Sequence, residues 1–167
     1  MLKATNLAVA LPNLSEKKLF SAAPLVTIFY GINIDIAKGE CLGIVGESGS
    51  GKTTLGRTLV RLYKPSAGTI RFNGIDITTL EEKRLRPMRS NMQMIFQEPQ
   101  ASLNPRRRIG DAILQPLRAN GHSLRGFEAT EKVSELLDRV GLNPALQRRF
   151  PHELSGGQRQ RVCVARA

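Results

Sequence analysis

The chain has 167 residues, of which 41% are hydrophobic and 23% charged, with a net charge of +11 and two cysteines. That length and balance predict one globular domain with a proper core and exclude a disordered segment. The longest apolar run, residues 22–32, is too short to cross a bilayer and contains Pro24, and the opening Met1-Leu2-Lys3-Ala4-Thr5-Asn6 is too polar for a secretory signal.

Residues 2–9 alternate weakly and predict an edge strand. Ile32-Asn33-Ile34-Asp35-Ile36 alternates cleanly, the period of a half-buried strand. Lys38-Gly39-Glu40 then turns the chain into Cys41-Leu42-Gly43-Ile44-Val45, an apolar run that predicts a strand covered on both faces. A Gly-rich loop follows, and a helix over residues 51–63 with Leu55, Leu59 and Leu62 at helical spacing. Pro65-Ser66-Ala67-Gly68 ends it, and Thr69-Ile70-Arg71-Phe72 with Asn73-Gly74 reads as a hairpin. Thr79 is placed to cap a helix over residues 81–86. Met92-Gln93-Met94-Ile95-Phe96 predicts a further strand, leading to Gln97. Residues 109–119, 129–140 and 158–165 read as helices joined by Gly, Pro and Asn turns. The expected organisation is an α/β core over 1–96, a helical subdomain over 97–158, and over 159–167 the start of a helix returning to the core.

Cys41 and Cys163 lie in apolar settings without metal-ligand spacing and read as buried, reduced thiols. His122 and His152 have no ligand partners at useful spacing and read as surface residues. The charge of +11 raises a nucleic-acid hypothesis. Against it, the basic residues are mostly scattered, and no aromatic residues interleave with them for base stacking.

Gly46-Glu47-Ser48-Gly49-Ser50-Gly51-Lys52-Thr53 fits G-x-x-x-x-G-K-[ST], a loop that wraps nucleotide phosphates. Its backbone N–H groups can form a nest for phosphate oxygens, reinforced by the positive end of the following helix, where Thr54 also lies. Lys52 is placed to reach the β and γ phosphates, and the Thr53 hydroxyl to ligate Mg²⁺. The motif alone leaves kinases, GTPases and ATPases open, although no guanine-reading Asn-Lys-x-Asp is present. Gln97, at the end of the predicted strand, can reach Mg²⁺ or its water. About a hundred residues after the first loop, Leu154-Ser155-Gly156-Gly157-Gln158 opens a basic helix, with Ser155 as N-cap and two glycines exposing N–H groups. Two anion sites in one chain suggest that a nucleotide is shared between two protomers.

The whole chain resembles the N-terminal two-thirds of an ABC transporter ATPase domain, a P-loop NTPase core with an inserted helical subdomain, incomplete at the C-terminus. Residues 46–53 match its Walker A motif, Gln97 its Q-loop glutamine and residues 154–158 its signature motif. Phe96-Gln97-Glu98-Pro99, Ser102-Leu103-Asn104-Pro105-Arg106 and Phe150-Pro151-His152-Glu153 look like the dipeptide, oligopeptide and nickel importer branch. The resemblance implies an ATP- and Mg²⁺-dependent ATPase subunit at the cytoplasmic face of the membrane. Its implied partners are integral-membrane permease subunits and a second ATPase protomer, whose ATP the residues at 154–158 would contact. No upstream aromatic is obvious for adenine stacking, and Phe20 is left open for that role. The Walker B aspartate and glutamate, the D-loop and the switch histidine are expected beyond Ala167. On that expectation no catalytic residue lies within the chain, and it does not turn over ATP alone. Two alternatives stay open: a non-transport ABC protein acting on ribosomes or nucleic acid, and a non-functional remnant.

Overall fold

The β-branched and aromatic residues near the start of the chain build an antiparallel sheet. The structure, a computed structural model, describes residues 1–13, 15, 23–96 and 102–167. Strand β1 (Leu2–Pro12) pairs with β2 (Leu25–Ile36) on one edge and with β3 (Ala67–Phe72) on the other. The short β4 (Ile75–Asp76) completes the order β2-β1-β3-β4. β1 is therefore interior, not the edge strand its weak alternation suggests. Its buried residues are Leu2 and Ala4, then Leu7 and Val9, so the inward parity changes midway. The change falls at an irregularity between Ala4 and Leu7, where Asn6 takes a left-handed φ of 48°. A bulge of this kind erases the period-2 signal without weakening the strand.

Asn73 and Gly74, with φ of 48° and 81°, make the predicted tight turn between β3 and β4. Helix α1 (Lys52–Leu59) buries Leu55, Thr58 and Leu59. It stops short of residue 63 because Arg61 turns left-handed, with φ of 56°, and Leu62 is left half exposed. Arg61 is only 4% exposed. Its guanidinium donates to the carbonyls of Ile77 at 2.7 Å, Leu80 at 3.1 Å and Tyr63 at 3.5 Å. These bonds, with Ile77 N–H to the Ile70 carbonyl at 2.9 Å, hold residues 77–80 along β3. Thr79 consequently does not cap the next helix. That helix, α2 (Glu82–Leu85), has Glu81 at its N-cap without a side-chain cap bond.

Replacing Arg61 by methionine keeps the apolar stem but leaves buried carbonyls without a donor. It is expected to lower stability by about 3 kcal/mol, read as a reduced urea midpoint. A midpoint unchanged from the parent would show that water satisfies those carbonyls.

The predicted strands at 41–45 and 92–96 do not form. Leu42, Ile44 and Val45 are 44%, 42% and 94% exposed. A strand covered on both faces exists only where neighbours pair with both its edges, and the described residues give these two runs no ladder partner. Cys41 belongs to the first run and is exposed, contrary to expectation, whereas Cys163 is buried as expected. His122 and His152 are both at the surface.

Residues Met1–Arg86 and Pro87–Ala167 are separate compact units. The second opens with a 3-10 segment, which runs over Arg86–Asn91. It then contains α3 (Ile109–Ala119), α4 (Gly126–Arg139) and α5 (Gly156–Arg166), with 3-10 turns at Pro144–Arg148 and Pro151–Glu153. Its core draws Ile109, Ile113 and Leu114 from α3, Ala129, Val133 and Leu137 from α4, and Val162 and Cys163 from α5. The four-residue spacing in α4 puts its apolar residues on one stripe. That stripe begins at Ala129, so the exposed first turn from Gly126 escapes a periodicity reading.

Candidate functional site

The phosphate-type loop is assembled around one ammonium group. Lys52, the first residue of α1, turns back so that Nζ donates to the Gly46 carbonyl at 2.7 Å, the Glu47 carbonyl and the Ser50 hydroxyl at 3.2 Å. Ser50 N–H closes the turn onto the Glu47 carbonyl at 3.3 Å. Gly51 precedes the helix with φ of 89°, and a β-carbon there would lie 3.0 Å from Ile28 Cγ2. Glycine thus lets the loop lie against β2 and enter α1 in a left-handed conformation. Gly46, Glu47, Ser48, Gly49 and Ser50 are exposed, and Thr53 and Thr54 follow on the first helical turn. That turn carries no acidic residue. Its N–H groups have no acceptor within the helix, so the positive helix end faces outward unneutralised.

These features suit an oxyanion: a central cation, exposed glycine backbone and an open helix N-terminus. For a metal the fit is narrower. Among the described residues no three His, Cys, Asp or Glu side chains gather to hold one. The exposed Thr53 hydroxyl offers a single oxygen, which matches a Mg²⁺ ion held mainly by phosphate oxygens and water. Gln97 lies outside the described residues, as do Glu98, Pro99 and Phe20.

In the second unit, Leu154 is buried and anchors the turn that opens α5. Ser155 Oγ accepts the Gln158 N–H at 3.3 Å, and Gln158 Oε1 accepts the Ser155 N–H at 2.9 Å. This reciprocal capping box follows from the S-x-x-Q spacing, a signal that reading Ser155 alone overlooks. The Ser155 hydroxyl keeps its own proton to donate. Gly156 and Gly157 are exposed, with open space where side chains would stand.

The approach to the turn is clipped. Glu153 accepts the Phe150 N–H at 2.6 Å and pairs with Arg149 at 2.7 Å. The Phe150 ring stacks on His152, with centroids 5.7 Å apart, and carries the Arg108 guanidinium at 5.7 Å. Ser102 Oγ lies 3.1 Å from Cys163 Sγ, and the Arg166 guanidinium donates to the Ser102 carbonyl, tying the Ser102-Leu103 segment to α5.

The Phe150 amide, then the Arg149 side chain, hold the Glu153 carboxyl below its ordinary pKa. A carboxylate lowered in the native state adds stability that is full above its unfolded pKa and is lost as pH falls through the native value. Glu153→Gln is therefore expected to be less stable than the parent at neutral pH, with the gap closing below about pH 4. Melting curves across that range check it; a gap independent of pH would contradict the role given to the carboxylate.

Residues 29–167 match the family described as ABC transporter. The oligopeptide transport ATP-binding protein AppF of Bacillus subtilis is 55% identical over 139 residues, 82% of this chain and 42% of AppF. The glutathione import ATP-binding protein GsiA of Escherichia coli K12 is 53% identical over 136 residues, 81% of this chain and 22% of GsiA. The chain thus spans less than half the length of these relatives. Among solved structures, the dimeric post-hydrolysis ATP-binding cassette MJ0796 bound to ADP and Pi aligns with a TM-score of 0.83 at 27% identity. That alignment covers 99% of this chain and 68% of the cassette. CbiO1 from Clostridium perfringens, part of the cbiONQ transporter complex, aligns with a TM-score of 0.74 at 27% identity, over 99% of this chain and 59% of cbiO1.

Proposed function

Because the chain belongs to the ABC transporter family, we propose that it serves as the ATP-binding subunit of an importer for peptides. The observation that carries the reading is the Lys52-centred loop at the start of α1, in a chain 55% identical to an oligopeptide transport ATP-binding protein. On this reading residues 1–96 form the nucleotide-binding core, 97–158 the helical subdomain and 159–167 the helix returning to the core.

The loop of residues 46–51 wraps the phosphates with its backbone N–H groups. Lys52 exchanges its loop carbonyls for β- and γ-phosphate oxygens, gaining ion pairs to charged acceptors in place of bonds to neutral carbonyls. Thr53 supplies its hydroxyl to Mg²⁺ and Thr54 extends the N–H nest, while Gln97 is assigned to the same ion. Mg²⁺, when bound, offsets negative charge between the phosphates. The turn of residues 154–158 addresses the ATP of a second ATPase protomer, with the Ser155 hydroxyl and the Gly156 and Gly157 N–H groups as donors; the solved relative MJ0796 is a dimer. The roles assigned here are binding and orientation, and no residue is assigned to activate water. The other partners are permease subunits, which place the protein peripherally on the cytoplasmic face of the membrane. No helix among the described residues is long and apolar enough to span one.

Growth on an oligopeptide as sole source of a required amino acid tests this. A strain lacking the gene that encodes this chain is expected to fail, to be rescued by that whole gene and not by its Lys52→Ala form. Rescue by both would remove nucleotide binding from the function.

A further inference from the structure

The connection between α3 and α4 carries a second concentration of hydrogen-bond donors, unrelated to the phosphate loop. Arg118, His122, Ser123, Leu124 and Arg125 line a cavity of about 340 Å³. Two arginines, a histidine and a serine thus line it, and no lining residue is acidic. Among the described residues none of these four polar side chains holds a hydrogen bond or an ion pair. Arg118, His122, Ser123 and Arg125 are all solvent-exposed. Phe127, two residues beyond Arg125 and in the first turn of α4, is 76% exposed.

Open donors without a carboxylate to answer them fit a ligand made of negatively charged oxygens. A phosphate group suits the planar, many-donor guanidinium best. The exposed phenyl ring of Phe127, two residues along the chain from Arg125, selects among sources of phosphate. A free anion in water gains nothing from a neighbouring aromatic, whereas a lipid surface presents phosphates with acyl chains directly beneath them. We propose that the α3–α4 connection docks onto the phosphate headgroups of an anionic lipid surface, with Phe127 inserted at the boundary. The contact is made by this chain directly, independent of any permease, and does not rest on the nucleotide-binding reading.

The test is co-sedimentation of the full chain with vesicles of phosphatidylcholine alone and of phosphatidylcholine mixed equally with phosphatidylglycerol. Binding is expected to the mixed vesicles only. Arg118→Gln with Arg125→Gln is expected to weaken it roughly thirtyfold, from about fivefold per basic residue at an anionic surface. Phe127→Ser is expected to weaken it severalfold, and Lys52→Ala to leave it unchanged. Circular dichroism of each variant verifies that the helices persist. Because the chain carries +11 overall, Lys83→Gln with Arg84→Gln removes the same charge from another exposed segment and is expected to retain most of the binding. Equal loss from that pair would reduce the effect to net charge and overturn the proposal. So would equal pelleting with both vesicle types. Saturable binding of inorganic phosphate at His122, followed by magnetic resonance, without vesicle binding would also overturn it, by assigning the pocket to a free anion.

Discussion

Gly68→Ala is expected to destabilise the N-terminal unit by roughly 4 kcal/mol, a large share of the 5–15 kcal/mol by which domains are typically stable. The β-carbon would stand 2.3 Å from the Asn6 carbonyl oxygen and 2.5 Å from that of Thr5. Both obstacles are backbone of the interior strand β1, so no rotamer change relieves them. Gly68 also sits at φ of 83°, where an L side chain is strained in any surroundings. The irregularity in β1 is pinned nearby: Asn6 N–H donates to Asn33 Oδ1 at 2.8 Å, and Ser66 N–H to the Ala8 carbonyl at 2.8 Å. Relief therefore requires β1 and β3 to separate. Gly74 is the internal control, with φ of 81° but nothing within 4 Å of its β-carbon position. Gly74→Asn is expected to cost well under about 1 kcal/mol, since asparagine tolerates this region in a tight turn. Urea unfolding of the pair checks both. A Gly68→Ala midpoint close to that of Gly74→Asn would show that the strands separate with little resistance.

Lys52→Ala is expected to weaken ATP binding by about a hundredfold, roughly 3 kcal/mol, with the fold retained. The loss has two parts. The ammonium no longer meets phosphate oxygens, and the loop loses the group on which the Gly46 and Glu47 carbonyls and the Ser50 hydroxyl converge. Lys52→Arg separates them. It restores the charge, but a planar fork cannot occupy the same small ring of acceptors as a compact ammonium, so affinity is expected to stay low. Titration of a fluorescent ATP analogue reads the affinity, and melting without nucleotide reads the fold. Full affinity in Lys52→Ala would remove the loop from the nucleotide site; full affinity in Lys52→Arg would leave charge as the only requirement.

Local chemistry was the legible part of this sequence. Asn73-Gly74 specified its turn because few residues accept left-handed φ at two successive positions, and the buried spacing of α3 and α4 followed from one apolar stripe each. The phosphate-type loop was legible for the same reason: its residues are contiguous, and the helix dipole and glycine backbone act within one turn. What escaped depends on partners distant in sequence. β1 looked like an edge because its bulge at Asn6 shifts parity, which only the pairing with β2 and β3 reveals. Leu42, Ile44 and Val45 have the composition of an interior strand, but composition does not supply a ladder. Thr79 lost its expected cap role to Arg61, eighteen positions earlier, whose bonds to the Ile77 and Leu80 carbonyls fix that stretch on either side of Thr79. Gln97 lies outside the described residues and keeps only its sequence-based assignment.

The most direct test of the central claim is a calorimetric titration of the full chain with ATP, ADP and adenosine in the presence of Mg²⁺. Saturable binding of ATP and ADP with none of adenosine is the predicted result, because every residue assigned to the site addresses phosphate or its metal. Adenosine binding as tightly as ATP, or no saturable binding of either nucleotide, would contradict it.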